Sequence, residues 1–376
     1  MQPGSAIDFL DSSFGWRVDG LEGAPHQDGN LSAAPVDTGY RWPGGSVSAT
    51  TDGGSAWTMI FDGAAGEANG VWGIDLLSET TGWVVGVTGL FGTVDGGSSW
   101  VTLGEPGDAS LVTVAFSTDR LGWGLTSQGQ LVLSTDGGAS WSAAELPVVA
   151  TSPVLTALCV SGAAGYVVDE QGQVYAGDVR AAAPRISWSD EQPTAAPAWT
   201  QVACHGSHVW VSDEYTDLSM HASSGRVFDI VHSSDFGTTW ETVAPAADGH
   251  EASGPLDIIA TTSMGNTSAD APFVVGYPTS GWTLRVIDPA GGPPGRVADL
   301  RDLPRAVDTG QDAHSYLLIQ GVDRSGPDGW IYLTDNAVGT RAHPMSQSVL
   351  LHTADDGKTW ETLTVGQPDG DPGAAH

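Results

Sequence analysis

The chain is a succession of short apolar runs closed by glycine and small polar residues. Residues 5–10, 71–77, 111–116 and 154–160 alternate apolar with polar or small side chains, which is the period of a strand buried on one face. Each precedes a second apolar run that opens with Gly15-Trp16, Gly82-Trp83, Gly122-Trp123 or Gly165-Tyr166. Corresponding strands further along are read at 208–212, 273–277 and 316–320. No stretch sustains a helical period, and none approaches the roughly eighteen apolar residues of a membrane helix. The pattern predicts an all-β chain of many short strands.

Between these runs an eight-residue motif recurs: Ser/Thr, any, Asp, any, Gly, any, Ser/Thr, Trp. It occupies 93–100, 134–141, 233–240 and 353–360, and a copy at 50–57 departs only at Ala56. Its chemistry is that of a tight hairpin turn. Asp52, Asp95, Asp136, Asp235 and Asp355 can hydrogen-bond the nearby backbone, and glycine supplies the positive φ. Trp57, Trp100, Trp141, Trp240 and Trp360 then begin the next strand and bury a large ring beside the turn. These aspartates read as turn staples rather than catalytic acids.

The aspartates at 52, 95 and 136 are 43 and 41 residues apart, the period of a four-stranded propeller blade. The intervals of 99 and 120 residues that follow each leave room for one blade without the motif. In those two blades, 177–199 and 288–297 replace the turn. Seven blades are therefore expected, at about 1–62, 63–105, 106–147, 148–203, 204–246, 247–300 and 301–365, with 366–376 as a disordered tail. The strand order begins and ends without offset, so the ring should close by packing the first blade on the last.

The motif resembles the Asp-box, or bacterial neuraminidase repeat, of sialidases, xyloglucanases, the sortilin ectodomain and photosystem II assembly factors. The resemblance implies a single seven-bladed β-propeller with Asp-box turns between the third and fourth strands of most blades. Sialidases of this kind carry an Arg-Ile-Pro segment near the start. Here Arg185-Ile186-Ser187 lacks the proline and lies mid-chain, which disfavours that activity. Xyloglucanases use two facing propellers with one catalytic Asp from each, whereas this chain supplies one ring. Its 36–42 stretch, Val-Asp-Thr-Gly-Tyr-Arg-Trp, resembles an Asp-containing stretch of those enzymes. Photosystem II assembly factors resemble the chain in repeat style and ring size.

Insertions carry the functional expectation. Trp83 to Asp95 is 12 residues and Trp123 to Asp136 is 13, but Trp16 to Asp52 is 36, Trp210 to Asp235 is 25 and Tyr316 to Asp355 is 39. The long loops of the first and last blades should meet beside the ring closure, on the face opposite the turns. Loops on a rigid scaffold are where binding groups gather. Asp37, Tyr40, Arg41 and Trp42 lie in one loop; Asp323, Arg324, Asp328, Trp330, Arg341 and His343 are assigned to the other. Tyr40, Arg41, Trp42, Arg324, Trp330, Arg341 and His343 are the expected ligand-binding residues for a glycan or a protein partner. The alternative is a glycoside hydrolase whose carboxylate pair comes from Asp37, Asp323 and Asp328.

Charge narrows the partners. Forty-five acidic against thirteen basic residues give −32, which argues against nucleic acid and anionic membranes. Cys159 and Cys204 are the only cysteines, open to a disulfide or to buried thiols. His205 and His208, three apart on a strand, would point to opposite faces, which spoils joint ligation of a metal. No metal and no cofactor are expected. The family resemblance favours an extracytoplasmic or secreted protein without its leader, and a monomeric ring is expected unless it is part of a larger complex.

Overall fold

A computed structural model describes residues 6–19, 45–63, 70–146, 153–170, 172–180, 185–188, 197–216, 226–244, 274–276, 283–287, 295–299, 316–336 and 348–364. They form an all-β propeller of antiparallel sheets. The first blade holds β1 (Ile7–Phe9), β2 (Gly15–Asp19), β3 (Ser46–Thr50) and β4 (Thr58–Asp62). The second holds β5 (Val71–Leu76), β6 (Gly82–Gly86), β7 (Gly89–Thr93) and β8 (Val101–Thr102). The third holds β9 (Leu111–Phe116), β10 (Gly122–Thr126), β11 (Leu131–Ser134) and β12 (Ser142–Ala143). The fourth is β13 (Leu155–Ser161), β14 (Ala164–Asp169), β15 (Val174–Asp178) and β16 (Arg185–Trp188). The fifth is β17 (Pro197–His205), β18 (His208–Thr216), β19 (Arg226–Ser233) and β20 (Glu241–Ala244). A three-stranded sheet follows, of β21 (Val274–Gly276), β22 (Thr283–Ile287) and β23 (Gly295–Asp299). The last blade is β24 (Tyr316–Ser325), β25 (Asp328–Asn336), β26 (Ser348–Thr353) and β27 (Glu361–Thr364).

Among the described residues six blades are complete, not the seven that the repeat spacing predicts. The 274–299 stretch lacks the turn motif that ties a fourth strand to a third, and only three of its strands are described. The boundary expected at 203 also moves. β17 begins at Pro197 and pairs with β18, so the fourth blade ends before it. The expected tail, 366–376, lies outside the described residues.

The recurrent turns share one hydrogen-bond scheme. The first-position hydroxyl donates to the Asp carboxylate at 2.8–2.9 Å, and that carboxylate accepts the seventh backbone N–H at 2.8–2.9 Å. In four copies the seventh hydroxyl adds a bond of 2.6–2.8 Å. Ala56 cannot, but its N–H keeps the backbone bond, which is why the turn survives the substitution. Each turn also docks on the β-hairpin joining its own blade's first two strands, as Gly53 N–H to Ser13 O and Asp356 N–H to Pro327 O show.

The fourth position of the turn always has positive φ: 74° at Gly53, 70° at Gly96, 78° at Gly137, 59° at Phe236 and 60° at Asp356. Phenylalanine is strained there, because its Cβ crowds the following carbonyl. Phe236 is also 57% exposed, so little packing offsets the strain. Phe236→Gly should therefore stabilise the protein by about 1 kcal/mol in a denaturant titration. A loss of stability would mean that the ring makes contacts this geometry does not contain.

Neighbouring blades are joined by two repeated devices. The first is the aromatic residue of each second strand. Trp16 occupies the space left by Gly82, where a Cβ would lie 2.7 Å from its ring. Trp83 stacks on Phe116 at 3.7 Å and Trp330 on Phe9 at 3.8 Å. Their indole N–H groups reach the next blade's turn, Trp83 to Gly137 O at 3.0 Å and Trp330 to Gly53 O at 3.0 Å.

The second device is the first-strand residue paired with that aromatic. Asp323 accepts Phe9 N–H at 2.5 Å, Asp8 accepts Leu76 N–H at 2.8 Å, and Asp75 accepts Phe116 N–H at 2.8 Å. Cys159 holds the same register opposite Tyr166. It makes a disulfide with Cys204, the residue corresponding to Phe9, Leu76 and Phe116. A covalent bond thus replaces the carboxylate–amide bond between the fourth and fifth blades, across a Cα separation of 6.0 Å. There Tyr166 replaces tryptophan, and its buried hydroxyl has no hydrogen-bond partner among the described residues.

Candidate binding site at the closing seam

The first and last blades meet directly: β1 packs on β24, and a Cβ at Gly321 would lie 2.8 Å from Ile7. Trp330 reaches the turn of the first blade, so the turn-bearing ends of the two blades are aligned. The opposite ends are then aligned too. From them leave the 20–44 connection after Asp19 and the 337–347 connection after Asn336.

At the root of the first connection lies a polar group inside the seam. Arg17 is 6% exposed, and its guanidinium stacks 4.3 Å over the Trp57 ring. Its Nε–H meets Asp19 Oδ1 at 2.6 Å, and Ser48 Oγ–H meets the other Asp19 oxygen at 2.5 Å. Arg17 Nη1 has no hydrogen-bond partner among the described residues. Trp57 itself packs edge-on against Phe9, with ring centroids 6.0 Å apart. From the last blade, Tyr332 lies in the same buried cluster, and its hydroxyl meets Ser348 Oγ at 3.1 Å. The seam therefore holds a buried arginine paired with Asp19, at the root of the 20–44 connection.

Arg17 was not among the expected site residues. Its signal in the sequence is a lone arginine between Trp16 and Val18, on a strand otherwise buried from Gly15 to Val18.

The structure redistributes the expected residues. Asp37, Tyr40, Arg41 and Trp42, with Arg341 and His343, lie outside the described residues. The other four are not loop residues. They flank the Gly326-Pro327 turn between β24 and β25, at the turn-bearing end of the blade and away from both connections. Trp330 is fully buried in the seam, so it offers no ligand platform. Asp323 is 3% exposed and holds the Phe9 amide. Arg324 bonds Gly326 O at 3.0 Å and Asp356 at 2.9 Å, and Asp328 meets His352 at 3.0 Å. The long last-blade insertion also shrinks. Trp330, not Tyr316, is the counterpart of Trp16, and it lies 25 residues before Asp355.

The five turn aspartates are spent on their turns. Asp235 and Asp355 are lowered to about 2, first by the Thr239 and Thr359 backbone N–H bonds. They hold no proton to give at neutral pH. His205 and His208 face each other across a β-hairpin instead of sharing a strand.

No protein-family profile matches the sequence, and no curated protein is detectably similar to it. Solved structures are similar in fold. YCF48 bound to D1 peptide superposes with a TM-score of 0.52 at 15% identity, covering 90% of this chain and 93% of that one. An ancestral GH74 enzyme gives 0.51 at 12% identity, covering 96% of this chain and 54% of that one, so the chain spans about half its length. YCF48 from Cyanidioschyzon merolae gives 0.48 at 12% identity, over 89% and 93%. The likenesses above 0.5, with the order of the sheets, define the class: the chain is a β-propeller.

Proposed function

We propose that the chain is a binding propeller whose site is the insertion-bearing end of the closing seam, taking a segment of a partner protein or a glycan. The observation that carries this reading is that the 20–44 and 337–347 connections leave adjacent blades at the same end, beside the buried Arg17–Asp19 pair. The recurrent turns are read as Asp boxes, and the similar propeller that holds a D1 peptide supports a protein segment as ligand. The Cys159–Cys204 disulfide supports an extracytoplasmic location. The hydrolase reading is weaker, because Asp323 is committed to a backbone amide and Asp328 to a histidine.

The test is a tiled peptide library and a glycan array probed with the full chain. A hit should lose at least tenfold in affinity with Trp42→Ala or Arg341→Ala, the size expected of an aromatic or arginine anchor. The same variants should leave the melting temperature unchanged. Hits insensitive to both variants and to replacement of 21–43 by a short glycine-serine link would place the site elsewhere.

A further inference from the structure

We propose that the fifth blade binds a late first-row divalent cation, such as Cu²⁺, Ni²⁺ or Zn²⁺, between His208 Nδ1 and His232 Nε2. The two nitrogens lie 3.0 Å apart. Ring centroids 5.2 Å apart and planes 13° apart put the imidazoles edge to edge, with the two nitrogens facing each other. A cation bonded to each at about 2.0–2.1 Å in near-tetrahedral geometry would hold them about 3.3 Å apart. To receive it the nitrogens part by a few tenths of an ångström and the two rings tilt so that both lone pairs converge on the metal.

The surroundings prepare the pair for this. His232 Nδ1 meets Glu241 Oε1 at 3.2 Å, which fixes the tautomer that leaves a lone pair on Nε2. A carboxylate behind a ligating histidine is the usual support of a metal site. Trp210 lies beneath both rings, 4.8 Å from His232 and 5.5 Å from His208, with planes within 19°. It stiffens the imidazoles and keeps water from that side. Among the described residues no third His, Cys, Asp or Glu joins the pair, so water would fill the remaining positions.

Register shows that the arrangement is particular to this blade. The positions of His208, His232 and Glu241 are held by Phe14, Ala49 and Thr58 in the first blade. They are Thr81, Gly92 and Val101 in the second, and Leu121, Leu133 and Ser142 in the third. Among the described residues, only the last blade repeats the chemistry, with Asp328, His352 and Glu361. There both nitrogens of His352 face carboxylates at 3.0 Å, so neither faces a second imidazole. That blade is the internal control.

The experiment titrates the full chain with each metal ion alone, by calorimetry and, for Cu²⁺, by electron paramagnetic resonance. The expected result is one saturable site, tightest for Cu²⁺, whose spectrum shows two imidazole nitrogens. His208→Gln and His232→Gln should each weaken binding at least tenfold, and Glu241→Gln by roughly tenfold. His352→Gln should leave it unchanged. Thermal unfolding without metal reports whether each variant folds, and the nitrogen count on the unaltered chain stands independently of them. Absence of a saturable site, or binding that survives both His208→Gln and His232→Gln, overturns the proposal.

Discussion

Replacing Trp330 by alanine is expected to lower stability by about 4 kcal/mol, the usual cost of emptying a buried tryptophan site. For a chain of 376 residues this corresponds to a fall of about 5 °C in melting temperature. The side chain is fully buried, stacks on Phe9 with planes 2° apart, and donates to Gly53 O. Those contacts bridge the one seam whose two blades are not consecutive in the chain. Among the described residues no strand is shared across it, since β1–β4 and β24–β27 form separate sheets. Elsewhere a lost contact leaves a covalent connection; here it leaves the Asp323–Phe9 and Ser325–Leu10 hydrogen bonds and side-chain packing.

The location of the damage distinguishes this from ordinary core loss. Trp123 is equally buried and donates to Val179 O at 3.2 Å, between blades that follow one another in sequence. Trp123→Ala should cost a similar free energy. Only Trp330→Ala should speed amide hydrogen exchange in β1 and β24 ahead of the remaining strands. Trp330→Phe keeps the stack but loses the N–H bond, and should cost about 1 kcal/mol beyond the smaller ring. Exchange that rises evenly through all blades in Trp330→Ala would refute closure by packing alone.

What could be read from the sequence follows the range of each interaction. The turns were legible because their bonds are confined to eight residues. Likewise Gly82 and Trp83 form a readable pair, although the reason for the glycine is Trp16 of the neighbouring blade. The stapling carboxylates were not legible. Asp8 and Asp75 look like the polar half of an alternating strand, and their partners are 68 and 41 residues away. The site at the seam was misplaced for a local reason. Tyr316 stands where an aromatic is expected, but the repeat is Gly329-Trp330, and this moves Asp323, Arg324 and Asp328 from a loop into a β-hairpin. Cys159 precedes Tyr166 by seven residues, as Asp323 precedes Trp330. That shared spacing held the disulfide's position, and only the register revealed it.

Stability should fall as pH rises from about 5 to 8, and the staples between blades are the cause. Burial raises Asp75 from 3.8 to about 7. Burial also raises Asp8 well above its ordinary value, with the charges of Asp323 and Asp75 adding to it. Both keep an edge open to solvent, but each sits on an inner strand between two neighbouring blades. Between pH 4 and 7 the folded chain therefore holds protons that the unfolded chain has shed. Folding is then linked to proton uptake, so raising pH through this window weakens the native state. For Asp75 alone the full interval is of order 4 kcal/mol. The turn aspartates act in the opposite sense, and only in acid: Asp235 and Asp355, lowered to about 2, lose their contribution as pH falls from 3.8 towards 2. The melting temperature should accordingly peak between pH 4 and 5 and drop by roughly 5–10 °C by pH 8. A net charge of −32 pushes the same way, through general repulsion that salt screens. Asp75→Asn separates the two causes, since its amide oxygen can still accept Phe116 N–H but no longer ionises. At high salt the variant should lose about half of the slope between pH 5 and 8. An unchanged slope would leave the alkaline loss to surface charge and remove the buried carboxylates from the account.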